Sequence, residues 1–354
     1  MPYANYQPLV EVTRGSIVES VHFGALVVVD AAGQVLAGWG DPQSITFLRS
    51  SAKPFQALPF VETGGMEHFN LTDKELALMC ASHIGTDEHV ATVLGMQQKI
   101  GVTENDLLCG THIPGHEPTA QSLLLRGETP TPNRHNCSGK HTGMLGQAVL
   151  RHLPVEDYIN PDHPVQQTIL HAFAEMCGLL PEEVVVGTDG CSAPNFAVPL
   201  FNAAYAFARL ADPSNLPDRR ARALGHIFRA MTAYPEMVAG PNRFDTQLMQ
   251  AAGGTILSKG GAEGYHALAL APGVLGKAQP GVGIAVKISD GDISNRARPL
   301  VVMEILRQLG VLSEEQVGRL TMYQPGPIYN WRKLEVGMIR PCFILEKRPV
   351  YYGA

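Results

Sequence analysis

Residues 49–54 read Arg49-Ser50-Ser51-Ala52-Lys53-Pro54, a serine three positions ahead of a lysine. Where the backbone is helical, that spacing carries a hydroxyl and an amine to one face. A serine hydroxyl attacks well only when a base takes its proton, and a lysine amine serves once burial or a second cation keeps it neutral. Ser50 with Lys53 therefore offers the hydroxyl-plus-base chemistry of acyl transfer, and Ser51 is a fallback nucleophile one residue out of register. Pro54 constrains the geometry, because it disfavours helical backbone at the residue before it. The couple belongs at a helix start, with Ser50 just outside and Pro54 in the first turn. Free N–H groups of that turn could then assist an oxyanion.

Four further segments gather reactive groups. Cys80-Ala81-Ser82-His83-Ile84-Gly85-Thr86 follows an apolar helical stretch and puts Ser82 at a helix end; the plainer alternative is a C-terminal turn stopped by Gly85. Asn136-Cys137-Ser138-Gly139-Lys140-His141-Thr142-Gly143 packs a thiol, an amine and an imidazole into five residues. Its Gly139 to Thr142 run is like the tail of a phosphate-binding loop, but Arg134 stands where the first glycine belongs and no strand precedes it, so no nucleotide site is expected. Cys137 with His141 offers a thiolate and its base, and Cys137 alone a soft metal ligand. Gly187-Thr188-Asp189-Gly190-Cys191-Ser192-Ala193-Pro194 follows Val184-Val185-Val186 and sets Asp189 and Cys191 at a strand's carboxyl end. That arrangement suits a zinc shell, a clamp on a substrate amine, or a glycine-rich turn around a buried thiol. Neither CxxC nor HxE followed by PCxxC occurs, which speaks against zinc fingers and zinc deaminases. Last, Lys259 lies in Ser258-Lys259-Gly260-Gly261-Ala262-Glu263-Gly264. A lone lysine there is ordinarily solvated, but a second ammonium beside the first couple would help hold its base neutral.

The chain that must position these groups has 354 residues, 45% hydrophobic and 17% charged, a globular balance with room for one large or two ordinary domains. A net charge of -6 without a basic run makes nucleic acid an unexpected partner. No apolar stretch reaches membrane-spanning length, and the opening residues lack the basic and apolar parts of a secretory signal, so a cytoplasmic location is expected. Six scattered cysteines, Cys80, Cys109, Cys137, Cys177, Cys191 and Cys342, point to free thiols or metal ligands, not to a disulfide framework. Residues 9–13, 25–30 and 35–39 read as strands, the last two forming a hairpin around 31–34. Helical spacing runs through 74–79, 89–100, 163–177 and 219–233, with Thr72 or Asp73 placed to cap the first and Asp162 the third. Strand character returns at 266–271 and 282–288, followed by a helix over 300–309. Sheet at both ends with helices between predicts that the two ends share one sheet.

Taken together the segments resemble the bacterial L-asparaginase family typified by the Rhizobium enzyme, whose fold is similar to serine β-lactamases and glutaminases. The resemblance runs through Val10-Glu11-Val12-Thr13-Arg14-Gly15, Gly40-Asp41-Pro42, 49–57, 80–86, 136–145, 187–199, Arg243-Phe244-Asp245-Thr246, 259–264 and Val286-Lys287-Ile288-Ser289-Asp290-Gly291. It implies an α/β architecture, mainly antiparallel sheet from both chain ends (1–48 and 255–354) with an inserted mainly helical domain (49–254). It further implies hydrolysis of L-asparagine to aspartate and ammonia through two couples, Ser50 with Lys53 and Ser82 with Lys259. Cys137, Lys140 and Cys191 fall on a zinc site, Asp189 beside it, and Arg49 and His141 in the substrate pocket, with Arg49 facing a substrate carboxylate. A neutral Lys140 is needed to bind metal, which weakens binding as pH falls. A homodimer is also implied. The alternatives are glutamine or a β-lactam-like amide as substrate, a cysteine hydrolase using Cys137 and His141, and a non-catalytic amino-acid-binding protein.

Overall fold

The computed structural model describes residues 5–347. Residues 1–4, which open the stretch read above for a signal, and 348–354 lie outside the described residues. The chain divides into two compact units, Met1–Leu48 with Val198–Asp212 and Ala251–Ala354, and Arg49–Ala197 with Pro213–Gln250.

The first unit is built on an antiparallel sheet in which the β-branched runs pair. Its strands follow the order Gly326–Tyr329, Glu335–Pro341, Gln7–Arg14, Ile17–Asp30, Val282–Ile288, Tyr265–Leu270, Ile256–Gly260. The two ends of the chain do share this sheet: Val10 lies opposite Pro341 and Val12 opposite Ile339. The predicted hairpin is present, Ile17–Asp30 against Val35–Trp39, with Leu26 opposite Trp39. Its turn closes because the Asp30 carboxylate accepts the N–H groups of Ala32 and Gln34 while Gly33 takes a positive φ of 82°. Residues 25–29 are fully buried, the continuous apolar run of a strand covered on both faces. One cover is the helix Leu200–Ala211, which packs against Ile17–Asp30, Tyr265–Leu270 and Val282–Ile288. It sits so low that a Cβ on Gly283 would lie 1.8 Å from the Ala204 carbonyl oxygen. Val198–Asp212 thus groups with the sheet although the sequence reading put all of 49–254 in the insertion. Small residues, Ala203, Ala204 and Ala208, make that close seating possible.

The second unit is mainly helical. Asp73–Met79 starts at Thr72, whose hydroxyl accepts from the Glu75 N–H in a capping box. Asp87–Ile100 and Asp218–Ala233 match the apolar spacing seen in the sequence. Pro164–Cys177 is capped differently from the expectation: Pro164 occupies the first turn, His163 becomes the N-cap and accepts from the Val165 N–H, and Asp162 stands one residue outside. Helix Ser138–Leu150 carries Gly139, Gly143 and Gly146 along one face. A Cβ there would meet the Leu78 carbonyl oxygen at 2.3 Å, the Met79 side chain at 2.5 Å and the Phe60 ring at 2.9 Å. Each glycine costs helix propensity, about 1 kcal/mol against alanine, and in return the backbone of this helix lies against the end of Asp73–Met79. Ser82 leaves that end, and Cys137 and Lys140 flank the start of the glycine helix. Among the described residues no helix is long and apolar enough to cross a membrane.

Candidate active site

Lys53 is the first residue of the helix Lys53–Glu62, preceded by the tight turn Arg49–Ala52 and followed by Pro54 in the first turn. This is the placement the proline demands. The Lys53 side chain is only 1% exposed. Its Nζ bonds the Ala81 carbonyl oxygen at 2.5 Å, Ser82 Oγ at 3.1 Å and the Asn136 carbonyl oxygen at 3.4 Å. The expectation paired Lys53 with Ser50, but its amine is hydrogen-bonded to Ser82. The Ser50 hydroxyl is half-buried and makes no hydrogen bond among the described residues. Tertiary placement decides this: the loop after Asp73–Met79 folds back so that the Ser82 N–H reaches the Val238 carbonyl at 2.8 Å.

Histidines hold the loops on either side. His83 Nδ1 accepts the Gly85 N–H, so its proton is on Nε2, which donates to Ser138 Oγ at 2.9 Å; Ser138 in turn donates to the Asn133 carbonyl. Burial, then His89 and Lys53, push the His83 pKa well below the ordinary histidine range. His89 Nδ1 likewise accepts the Thr86 N–H, and His135 Nδ1 accepts the Cys137 N–H. His112 Nε2 accepts the Asn136 N–H, which orients the carbonyl used by Lys53.

A second cluster forms where the helix Ser138–Leu150 meets the turn between the strands Val185–Thr188 and Pro194–Pro199. Lys140 Nζ donates to Cys191 Sγ at 2.9 Å, and Cys191 Sγ lies 3.4 Å from an Asp189 carboxylate oxygen. Arg49 Nε donates to the other Asp189 oxygen at 2.7 Å, and the Arg49 N–H to Asn195 Oδ1. Arg49 adopts a positive φ of 51°, strained for a non-glycine residue. It was expected to face a substrate carboxylate; its Nε is taken by Asp189. Burial opposes ionisation of Asp189, yet Lys140 and Arg49 outweigh it and hold the carboxyl at about 2. Burial also works against the Lys140 ammonium, but the sulfurs of Cys191 and Cys137 raise its pKa. A hydrogen bond with Cys191 lowers the Cys137 pKa, and the same contact raises that of Cys191.

Sγ of Cys137, Sγ of Cys191 and an Asp189 oxygen lie within 4.8 Å of one another. Two sulfurs and a carboxylate, with an amine 2.9 Å from one sulfur, form a donor set that fits a tetrahedral borderline-soft divalent cation. Asp189, expected only beside the centre, comes as near as the sulfurs.

His141, next to Lys140, has Nδ1 2.6 Å from the Tyr158 hydroxyl, and burial pulls its pKa to about 4. Tyr158 was missed because it stands in a turn with no spacing or motif to mark it. The Ala81 and Asn136 carbonyls were missed because backbone acceptors leave no trace in residue types. Lys259 belongs to the other unit: it is fully buried on the strand Ile256–Gly260, and its Nζ donates to the Gly260 carbonyl oxygen.

A model of the family L-asparaginase II matches residues 10–341. The chain belongs to this family. Membership makes it an amidohydrolase, and a small amide a fitting substrate. None of the curated proteins matches the sequence. Among solved structures it is similar to a probable glutaminase from Bacillus subtilis complexed with 6-diazo-5-oxo-L-norleucine, at 13% identity and a TM-score of 0.38, covering 82% of this chain and 85% of that one. A Bacillus glutaminase is also similar, at 12% identity and a TM-score of 0.36, covering 82% of this chain and 91% of the other.

Proposed function

We propose that this family member hydrolyses L-asparagine to L-aspartate and ammonia through a serine acyl-enzyme. The observation that carries the reading is the buried Lys53 amine, 3.1 Å from Ser82 Oγ and bonded to two carbonyl oxygens. A neutral lysine has two N–H groups and one lone pair. In the proposed neutral state, N–H groups given to the Ala81 and Asn136 carbonyls would leave the lone pair for the Ser82 hydroxyl, which would suit Lys53 and Ser82 to moving a proton.

Ser50 is the proposed nucleophile, a hydroxyl without a hydrogen bond three residues ahead of Lys53. Its oxygen attacks the side-chain amide carbon as its proton passes to Lys53, directly or through Ser82. The collapsing tetrahedral intermediate breaks the C–N bond, and the same proton leaves with ammonia. Water then attacks the ester, gives its proton to Lys53, and releases aspartate as the Ser50 oxygen is reprotonated. A second reading, with Ser82 as nucleophile, is favoured by its direct bond to Lys53. Lys259 is proposed as the second lysine on the strength of the resemblance. Arg49, Asp189 and His141 are proposed to hold the charged end of the amino acid.

Zinc is proposed on Cys137, Lys140 and Cys191 with Asp189 alongside. When bound it would supply a fixed positive charge able to anchor or polarise a substrate oxygen.

Ammonia release measured side by side on asparagine and glutamine tests the substrate. Ser50→Ala is expected to lower asparagine turnover about a thousandfold or more while the protein stays folded. Mass spectrometry of the quenched wild-type enzyme should find the acyl group on the peptide containing Ser50. An acyl group on Ser82 instead would install the second reading, and near-native turnover by Ser50→Ala would end the first.

A further inference from the structure

Tyr158 lies in the turn ahead of the helix Pro164–Cys177 with its side chain fully buried. Gln166 Nε2 donates to its carbonyl oxygen at 2.8 Å and pins the backbone. Its phenol oxygen takes the Leu108 N–H at 2.9 Å and lies 2.6 Å from His141 Nδ1. Ring and imidazole meet edge to face, with centroids 5.6 Å apart and planes at 80°. The other ring nitrogen, His141 Nε2, is sealed from solvent and has no hydrogen-bond partner among the described residues. The Cys191 sulfur is the neighbouring side chain that acts on the imidazole.

One proton lies between phenol and imidazole, and the surroundings decide who holds it. If Nδ1 carried it and donated to Tyr158, the phenol's own proton would have no acceptor, and a bare Nε2 would be a second unmet group. If the phenol donates to Nδ1, the hydroxyl is satisfied as donor and as acceptor, and only an Nε2–H remains unmet. Each unmet buried polar group is costly, so the second arrangement wins.

We infer that Tyr158 is a positioning residue: gripped by the Leu108 N–H, it fixes His141 as the Nε2–H tautomer, which presents a hydrogen-bond donor to a substrate oxygen beside Cys191. The identity of that acceptor rests on the proposed amidohydrolase reading; the tautomer does not. In this state the nitrogen facing the sulfurs already carries a proton. His141 therefore cannot take one from a thiol, and the cysteine-hydrolase alternative loses its base.

Nitrogen-15 spectra of the full-length protein labelled at histidine read the tautomer directly, with the His141 signals assigned through His141→Gln. The expected result is a protonated Nε2 and an acceptor Nδ1 in the wild type. Tyr158→Phe should change the Nδ1 signal as its hydrogen bond is lost, and raise KM for asparagine about five- to thirtyfold with kcat altered far less. A proton on Nδ1 in the wild type overturns the inference without need of any variant. Unchanged His141 signals or an unchanged KM in a folded Tyr158→Phe protein overturn it too. If the wild type releases no ammonia from asparagine, the proposed function fails while the tautomer assignment stands.

Discussion

Gly139→Ala is the sharpest probe of how the two halves of the helical unit's site are held together. A Cβ at this position would lie 2.3 Å from the Leu78 carbonyl oxygen and 2.9 Å from its carbonyl carbon. Both are backbone atoms of a helix, so no side chain can swing away. Bringing that oxygen to a tolerable 3.0 Å requires the two helices to part by about 0.7 Å. Overpacking of this kind costs about 1–3 kcal/mol, and alanine returns about 1 kcal/mol of helix propensity. The net loss of stability is therefore small, on the order of 0–2 kcal/mol. Activity should suffer more. Lys53 Nζ is bonded to Ala81 and Ser82 on one side and, at 3.4 Å, to the Asn136 carbonyl on the other. Parting the helices carries the last of these out of hydrogen-bond range. Misplacement on this scale lowers turnover by about 10- to 100-fold. The control is Gly143→Ala, where the obstructing atoms belong to the flexible Met79 side chain, and turnover should fall less than about threefold. Urea unfolding midpoints and ammonia-release kcat/KM on the same preparations give both axes. Native turnover in Gly139→Ala, or equal damage from Gly143→Ala, would refute the reasoning.

Asp189, at about 2 against an ordinary value near 3.9, contributes stability that is complete above roughly pH 4 and is lost as pH falls through about 2. Asp189→Asn should therefore unfold more easily than wild type at neutral pH by about 2 kcal/mol, and the gap should close between pH 4 and 2. A gap that stays constant on acidification would show that the carboxylate is not the source. Metal binding must displace protons from the Lys140 ammonium and the Cys191 thiol, both of whose pKas are raised, so zinc retained after dialysis should rise between pH 6 and 8. Replacing Cys191 by Ser should abolish retention; equal zinc in that variant, or none in the wild type, would remove the proposed centre.

Much of the architecture could be read from residue types because it depends on local rules. The β-branched runs paired as predicted, the Thr72 cap formed, and Pro54 set the helix start with Ser50 outside it. What escaped reading depends on long-range placement. That Lys53 bonds Ser82 follows from a loop folding back onto Val238, and that Arg49 is engaged by Asp189 follows from a turn 140 residues away. The helix Leu200–Ala211 looked like one more element of the insertion; its packing against Ile17–Asp30, Tyr265–Leu270 and Val282–Ile288, close because Gly283 has no side chain to keep Ala204 away, groups it with the sheet. His163 displaced Asp162 as a cap because Pro164 fixed the first turn.

The pairing of Val10 with Pro341 has a consequence for how the protein comes into being. During synthesis the whole of the helical unit, Arg49–Ala197 and Pro213–Gln250, leaves the ribosome before the strands Ile256–Gly260, Tyr265–Leu270 and Val282–Ile288. The strand Ile17–Asp30 emerges early but pairs with Val282–Ile288, so the apolar residues 25–29 wait for some 250 residues of chain with only the Val35–Trp39 hairpin to shield one edge. Long-range pairing of this kind is slow and leaves sticky strands exposed. The helical unit, with Lys53 and Ser82, is thus complete in sequence before the sheet is, and the waiting strand is where misfolding would begin.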